Sequence, residues 1–163
     1  MEVILVPLRP THRASLEALL EAAEVFRDDE IAVALELVDA VLARPDHPDY
    51  TFAVAEAGGE PAGYACWGPT PCTLGTFDLY WIVVHPRWQG RGIAGRLLRA
   101  AEEDMAGRGG RLSVIETSSL PRYEPARRFY LRSGYTEAAR LPEFYAPGDD
   151  KVLFLKRLAP VGR

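Results

Sequence analysis

The stretch Gln89-Gly-Arg-Gly-Ile-Ala-Gly95 has the composition of an anion-binding turn. Glycine adopts positive φ without strain and lets a ligand approach the backbone closely. Where such a turn opens a helix, successive N–H groups and the positive end of the helix dipole converge on one place. An ordinary strand-to-helix turn needs one glycine at most, whereas this one has Gly90, Gly92 and Gly95 beside Arg91. We therefore expect this backbone to bind a phosphate or a similar small anion.

The distribution of charge supports the same expectation. Residues 1–85 hold 4 Arg or Lys against 14 Asp or Glu, whereas residues 86–163 hold 15 against 9. Residues 87–99 carry four arginines and no acidic residue. A short basic stretch in an acidic chain suits a small polyanion better than a nucleic acid, which is bound by a broad basic face. An uneven solvated surface is the alternative interpretation.

Length and composition restrict the possible classes of protein. With 163 residues, 48% of them hydrophobic, the chain has the size and core of one globular domain, predicted to cover 1–163. No apolar run approaches the roughly 18–20 residues that a membrane span needs, so no membrane partner is expected. The opening MEVILVPLRP has no features of a signal peptide, and the default compartment is the cytoplasm. Cys66 and Cys72 form no CxxC pair, so we expect no disulfide and no metal site.

The elements that must position the turn follow from periodicity. Alternating or β-branched segments predict strands near 2–8, 51–57, 60–68, 74–84, 111–116, 135–145 and 151–158. Helical spacing of apolar residues predicts helices near 12–26, 28–44, 92–107 and 124–132, the first capped by Thr11 and the second by Asp28 or Asp29. This order predicts an α/β fold with a mixed, partly antiparallel sheet of about six or seven strands and about four helices.

Two other nucleotide-binding patterns match the turn in part. Gly90, Gly92 and Gly95 form a GxGxxG, and Glu116 lies 21 residues further on, as in a dinucleotide-binding unit. However, five residues separate the strand from the first glycine, and only 47 residues follow Glu116, too few for a second half and a substrate domain. A P-loop needs Lys-Ser/Thr where Arg96-Leu97 stands. Both interpretations are rejected.

Residues 84–98, Val-His-Pro-Arg-Trp-Gln-Gly-Arg-Gly-Ile-Ala-Gly-Arg-Leu-Leu, resemble the acetyl-CoA signature of the GNAT N-acetyltransferase superfamily, Gln/Arg-x-x-Gly-x-Gly/Ala. Gln89, Gly92 and Ala94 occupy its defining positions. Residues 126–135, Ala-Arg-Arg-Phe-Tyr-Leu-Arg-Ser-Gly-Tyr, resemble the family's A-x-x-F-Y-x-x-x-G-F/Y segment. With the preceding strand, the resemblance covers about residues 74–158. It departs from the family at 118–123, where many relatives have an Asn that contacts the cofactor.

The resemblance implies a single GNAT-like domain that uses acetyl-CoA as acyl donor and no metal. It implies that the backbone of Ile82, Val83 and Val84 pairs with the pantetheine arm, and that these amides polarise the thioester carbonyl. The turn from Gln89 to Gly95 would bind the pyrophosphate through Gly90, Arg91, Gly92, Ile93, Ala94 and Gly95. The central parallel strands are expected to splay where the cofactor enters.

The implied reaction is direct acetyl transfer to a primary amine. Glu116 is the candidate base, because an amine must lose a proton before it attacks. Tyr130 is the candidate acid for the departing thiolate, followed by Tyr123 and Tyr145. A peptide N-terminus, a lysine, a polyamine or another small amine are all possible acceptors, and a homodimer is common in the family. The alternative function is a non-catalytic acyl-CoA sensor.

Overall fold

The computed structural model describes residues 1–160, which contain seven strands and four α-helices. The strands are β1 Val3–Val6, β2 Thr51–Ala57, β3 Glu60–Pro69, β4 Thr76–Val84, β5 Leu112–Ser118, β6 Thr136–Ala146 and β7 Asp149–Arg157. The helices are α1 Arg13–Ala22, α2 Asp28–Ala43, α3 Ile93–Gly107 and α4 Glu124–Arg132. The sheet order is β1-β2-β3-β4-β5-β7-β6, so the predicted mixed α/β fold is confirmed. No helix within residues 1–160 is long and apolar enough to cross a membrane.

The chain divides into two compact units. The first unit comprises Met1–Gly68 and Tyr80–Glu103, and the second comprises Pro69–Leu79 and the residues from Asp104 onward. The last three residues of the predicted domain 1–163 lie outside the described residues, and the prediction of a single domain stays a prediction.

The first unit contains β1, α1, α2, the β2–β3 hairpin, the end of β4 and most of α3. Gly58 and Gly59, which separate the strands predicted at 51–57 and 60–68, form the turn that joins β2 to β3, and both have positive φ. Leucines of α1 and apolar residues of α2 cover one face of this sheet, and the buried cluster contains Leu16, Leu19, Leu20, Ala34, Leu35, Val38, Val41, Phe52, Val54, Tyr64, Cys66 and Val83. Tyr64 Oη is the one buried side-chain polar atom of the described residues that has no hydrogen-bond partner.

The predicted caps of α1 and α2 are wrong. Thr11 lies inside a 3-10 turn, Pro10–His12, and buried His12 fixes that turn instead, because its Nδ1 accepts a hydrogen bond from the Arg9 N–H at 3.1 Å. Asp28 and Asp29 are the first residues of α2, and the Glu30 carboxylate accepts the Arg27 N–H at 2.7 Å.

The second unit is built on antiparallel strands. Strand β7 pairs with β5 on one side and with β6 on the other, and Glu116 lies opposite Leu153. The register of β6 shifts between Leu141 and Ala146, so the residues between them bulge from the ladder. Helix α4 has the predicted boundaries, and Gly134, with φ of +92°, follows its end.

The parallel pairing of β4 with β5 is short. It joins Thr76, Phe77 and Asp78 to Leu112, Ser113 and Val114. Strand β4 continues for six residues beyond Asp78, and Ile82–Val84 therefore lie past the last residue of this register.

Candidate active site

The glycine-rich turn has the geometry of an anion cradle. Strand β4 ends at Val84, a 3-10 turn spans Pro86–Trp88, and α3 begins at Ile93. Gly90 and Gly92 have φ of +74° and +75°, which favours glycine at both positions. A Cβ atom added at Gly90, Gly92 or Gly95 would meet nothing within 4 Å, so the front of the turn is open. The first N–H groups of α3 have no partner inside the helix and are available to a ligand here.

Two arginines beside this turn, Arg87 and Arg91, both pack against the ring of Trp88. The guanidinium groups of Arg87 and Arg91 lie 4.9 and 5.0 Å from the ring centroid of Trp88, which is buried. Cation–π contact holds both charges beside the open backbone. The Arg87 guanidinium also lies 3.7 Å from the Glu60 carboxylate. The Arg87 side chain is nevertheless 61% exposed, so a ligand can still reach its charge. The turn thus carries positive charge that a polyanion can reach.

Hydrogen bonds connect the turn to the end of β4. The Gln89 side-chain amide donates to the carbonyl oxygen of Val84 at 3.3 Å. The N–H of His85 donates to the Ala62 carbonyl at 2.8 Å, and His85 Nδ1 accepts the Arg87 N–H at 3.2 Å. His85 therefore has a structural role here. A Cβ at Gly63 would lie 2.7 Å from the Val83 carbonyl oxygen, so glycine is required where β3 passes the end of β4.

Tyr130 lies in an aromatic cluster of the second unit. Its ring centroid is 5.7 Å from that of Phe129, 6.2 Å from Tyr135 and 5.7 Å from Phe154. Burial raises the pKa of the Tyr130 phenol, with a smaller contribution from Tyr123. The phenol consequently keeps its proton throughout the neutral range, so it is available as a proton donor.

Glu116 forms an ion pair with Lys151, a contact that was not predicted from the sequence. Its carboxylate lies 2.8 Å from the Lys151 ammonium, and the two side chains are 46% and 14% exposed, respectively. The Lys151 ammonium also lies 4.0 Å from the ring centroid of Phe144, a residue of the β6 bulge. The candidate base is thus in contact with a primary amine of the same chain.

The segment that lacks the expected Asn is fixed by its own hydrogen bonds. Ser118 Oγ donates to the buried Asp149 carboxylate, and Ser119 Oγ accepts the Asp150 N–H at 2.8 Å. Arg127 donates to the carbonyl oxygens of Ser118 and Leu120. The hydroxyls of Ser118 and Ser119 therefore both form hydrogen bonds that link the end of β5 to the start of β7.

Two contacts at this site were not predicted from the sequence. Arg127 stands at a variable position of the 126–135 segment and Lys151 lies outside both motifs, so neither contact is specified by a motif residue. The charge of Lys151, directly after the turn at 147–150, was the only signal that could have indicated it. The structure places Gln89 to Gly95 and Ile82–Val84 in the first unit, and Glu116 and Tyr130 in the second.

The two cysteines differ in their surroundings. Cys66 is fully buried, and burial raises the pKa of its thiol, whereas Cys72 is exposed. Within residues 1–160, no group of three or more His, Cys, Asp or Glu side chains could hold a metal ion.

Comparison with known proteins agrees with this geometry. The family model described as an acetyltransferase (GNAT) domain matches residues 48–137. A protein named as an uncharacterized N-acetyltransferase of Methanocaldococcus jannaschii is 30% identical over an alignment of 114 residues, and the match covers 65%, slightly less than two thirds, of this chain and of that protein. A crystal structure named for an acetyltransferase of the GNAT family from Desulfovibrio desulfuricans is 40% identical, with a TM-score of 0.93 over 97% of this chain and 100% of that chain.

A third comparison concerns the fold alone. The structure of an N-acetyltransferase from Thermoplasma acidophilum in complex with coenzyme A has a TM-score of 0.76 at 14% identity, over 96% of this chain and 99% of that chain.

Acetyl transfer to amines is general among proteins with this domain. The chain therefore belongs to the GNAT family of acetyltransferase enzymes.

Proposed function

We propose that this protein transfers the acetyl group of acetyl-CoA to a primary amine by direct attack within a ternary complex. The observation that carries the proposal is the open, positively charged turn from Gln89 to Gly95 at the start of α3. Coenzyme A carries a pyrophosphate and a 3′-phosphate, which are the anions that such a turn binds. The GNAT domain match supports acetyl as the transferred group.

The residues of the turn fit this donor. Gly90 and Gly92 leave space in front of the backbone, and Arg91 supplies charge beside it. The N–H groups of Ile93, Ala94 and Gly95, in the first turn of α3, are assigned to the pyrophosphate. The backbone of Ile82, Val83 and Val84 lies beyond the β4–β5 register and is assigned to the pantetheine arm. Its amides would stabilise the charge that develops on the thioester oxygen.

Glu116 and Tyr130 are assigned to the proton transfers. The acceptor ammonium gives a proton to Glu116, directly or through water, and its nitrogen then bonds to the thioester carbonyl carbon. The carbon–sulfur bond breaks, Tyr130 gives its proton to the departing thiolate, and the nitrogen releases its second proton to solvent to leave a neutral amide. A tyrosine phenol is protonated at neutral pH, and burial, which raises the pKa of Tyr130, prevents it from ionising before the thiolate forms. A solvent proton then restores Tyr130.

Direct transfer is preferred to a route through an acetyl-cysteine. Cys66 is the buried cysteine, and its raised pKa leaves it as a thiol rather than the reactive thiolate. Cys72 lies on an exposed loop before β4, and no hydrogen bond to an activating base is present at it in the described part of the chain. A primary amine is the proposed acceptor class, which includes peptide N-termini, lysines, polyamines and other small amines.

The test is release of CoA thiol from acetyl-CoA in the presence of a panel of amines, with mass spectrometry of the products. The panel contains a short peptide with a free N-terminus, an N-blocked lysine peptide, a polyamine and an aminoglycoside. We expect one thiol released for each acetylated amine with at least one member. Binding of CoA without thiol release from any member would instead support the non-catalytic sensor.

A further inference from the structure

Lysine is almost absent from this chain. The sequence contains seventeen arginines and only two lysines, Lys151 and Lys156, both in β7. A guanidinium group is not acetylated by a thioester under the conditions in which an amine is, because it holds its proton. Lys151 and Lys156 are therefore the two side-chain amines of this sequence that could accept an acetyl group from its own donor.

The two lysines have different surroundings. Lys156 donates a hydrogen bond to the Ser133 carbonyl at 2.9 Å. The Lys151 amine instead lies 2.8 Å from the Glu116 carboxylate, the proposed base, and is covered on one side by the Phe144 ring. An acceptor amine needs a base within hydrogen-bond distance, and Lys151 already meets that requirement.

We propose that Lys151 is a self-acetylation site, modified by the acetyl-CoA bound to its own chain when no other amine occupies the position beside Glu116. This inference rests on the proposed function, in which Glu116 serves the acceptor. Its geometric support is the Glu116–Lys151 contact. In such a site an external acceptor and the Lys151 side chain compete for the same carboxylate.

Self-acetylation conserves atoms and charge without a further reactant. The Lys151 ammonium loses a proton to Glu116, and its Nζ lone pair bonds to the thioester carbonyl carbon. The carbon–sulfur bond breaks, CoA leaves as a thiol after gaining a proton from the acid, and the nitrogen releases its second proton, which restores the acid. The products are Nε-acetyllysine, free CoA and one proton, which Glu116 passes to solvent. The acetylated side chain has no charge, so the ion pair with Glu116 is lost.

The experiment incubates the full chain with acetyl-CoA that carries a deuterated acetyl group, with no added amine. The deuterium distinguishes new acetylation from any acquired during expression, and fragment-ion mass spectrometry separates Lys151, Lys156 and Met1. We expect labelling of Lys151 at least about tenfold faster than of Lys156 or Met1, because a positioned base accelerates transfer by roughly 10²–10⁴-fold. The first-order rate should not depend on protein concentration, and an accepted amine from the panel should slow it.

Two variants complete the test. Lys156→Arg should leave the labelling rate of Lys151 unchanged, and Lys151→Arg should abolish the fast label. Equal labelling of all three amines, or no label on a protein that acetylates an added amine, would overturn the inference and leave the proposed function standing. A protein that labels neither itself nor any panel amine would overturn both.

Discussion

The side-chain amide of Gln89 donates a hydrogen bond to the carbonyl oxygen of Val84, 3.3 Å away. The first residue of the acetyl-CoA signature is therefore linked to the last residue of β4, on which the pantetheine arm is proposed to lie. This bond joins the turn to the strand within the first unit, and so connects the two parts of the proposed donor site.

Replacing Gln89 by Ala should weaken CoA binding moderately. The substitution removes a bond that holds the turn in its proposed binding conformation, so CoA affinity should fall by at most roughly fivefold, which corresponds to the net strength of about 1 kcal/mol of one hydrogen bond. The melting temperature should hardly change, because the bond is at the exposed surface of the turn. Isothermal titration with CoA measures the effect. Unchanged affinity would show that the link has no part in shaping the donor site.

Replacing Tyr130 by Phe should lower the rate of acetyl transfer by roughly 10²-fold, the usual effect of losing a positioned acid. The ring stays in its cluster with Phe129, Tyr135 and Phe154, so CoA affinity and the melting temperature should be retained. Single-turnover kinetics with the identified amine isolates the chemical step.

Tyr123→Phe is the matched comparison for that experiment, because Tyr123 lies just before α4 and is the next candidate acid. It should keep most of the transfer rate. A large loss in Tyr123→Phe with normal turnover in Tyr130→Phe would reassign the acid.

Replacing Glu116 by Gln should change the shape of the pH profile as well as the rate. Without the base, the enzyme depends on acceptor molecules that are already neutral. Activity should thus be lowest near neutral pH and recover as the pH approaches the amine's own pKa, near 8 for an α-amine or 10 for a lysine. A uniform loss at every pH between about 6 and 10 would assign Glu116 a purely structural role in its pair with Lys151.

Tyr64→Phe should leave stability unchanged or raise it by up to about 1 kcal/mol, because it removes a buried hydroxyl that lacks a partner. Tyr135→Phe is the matched control and should lose about 1 kcal/mol, since the Tyr135 hydroxyl shares a 2.8 Å hydrogen bond with Ser113 Oγ. Urea unfolding at neutral pH compares them. The reverse order would show that Tyr64 has an internal partner, such as an ordered water.

Burial raises the pKa of the Tyr64 phenol, and this shift determines how the stability difference between wild type and Tyr64→Phe depends on pH. Below about pH 10 both the folded and the unfolded chain hold the phenol proton, so this group contributes no dependence of stability on pH. Above about pH 10 the unfolded chain releases the proton while the folded chain keeps it, and the free energy of unfolding falls. The advantage of Tyr64→Phe over wild type should therefore grow as the pH rises beyond that point.

Local signals predicted much of the fold. The Gly58-Gly59 hairpin, helix α4 and the turn before α3 depend on glycine conformation and apolar spacing, which are readable from consecutive residues. The predicted caps were wrong, because the His12 ring and the Glu30 carboxylate accept the backbone hydrogen bonds expected of Thr11 and of Asp28 or Asp29. The contact between Lys151 and Glu116 could not be predicted from the sequence either. It depends on the register of β5 with β7, which no local pattern specifies.

The measurement that tests the account most directly is calorimetric titration of CoA into wild type, Gly92→Asp and Gly109→Asp. Both glycines have positive φ and open space where a Cβ atom would lie, but only Gly92 is in the proposed donor turn. An aspartate at Gly92 places negative charge where the pyrophosphate would bind, so its CoA affinity should fall more than about tenfold. Gly109→Asp carries the same strain and charge and should bind CoA like wild type. Equal CoA affinity of wild type and Gly92→Asp would contradict the assignment of the donor site.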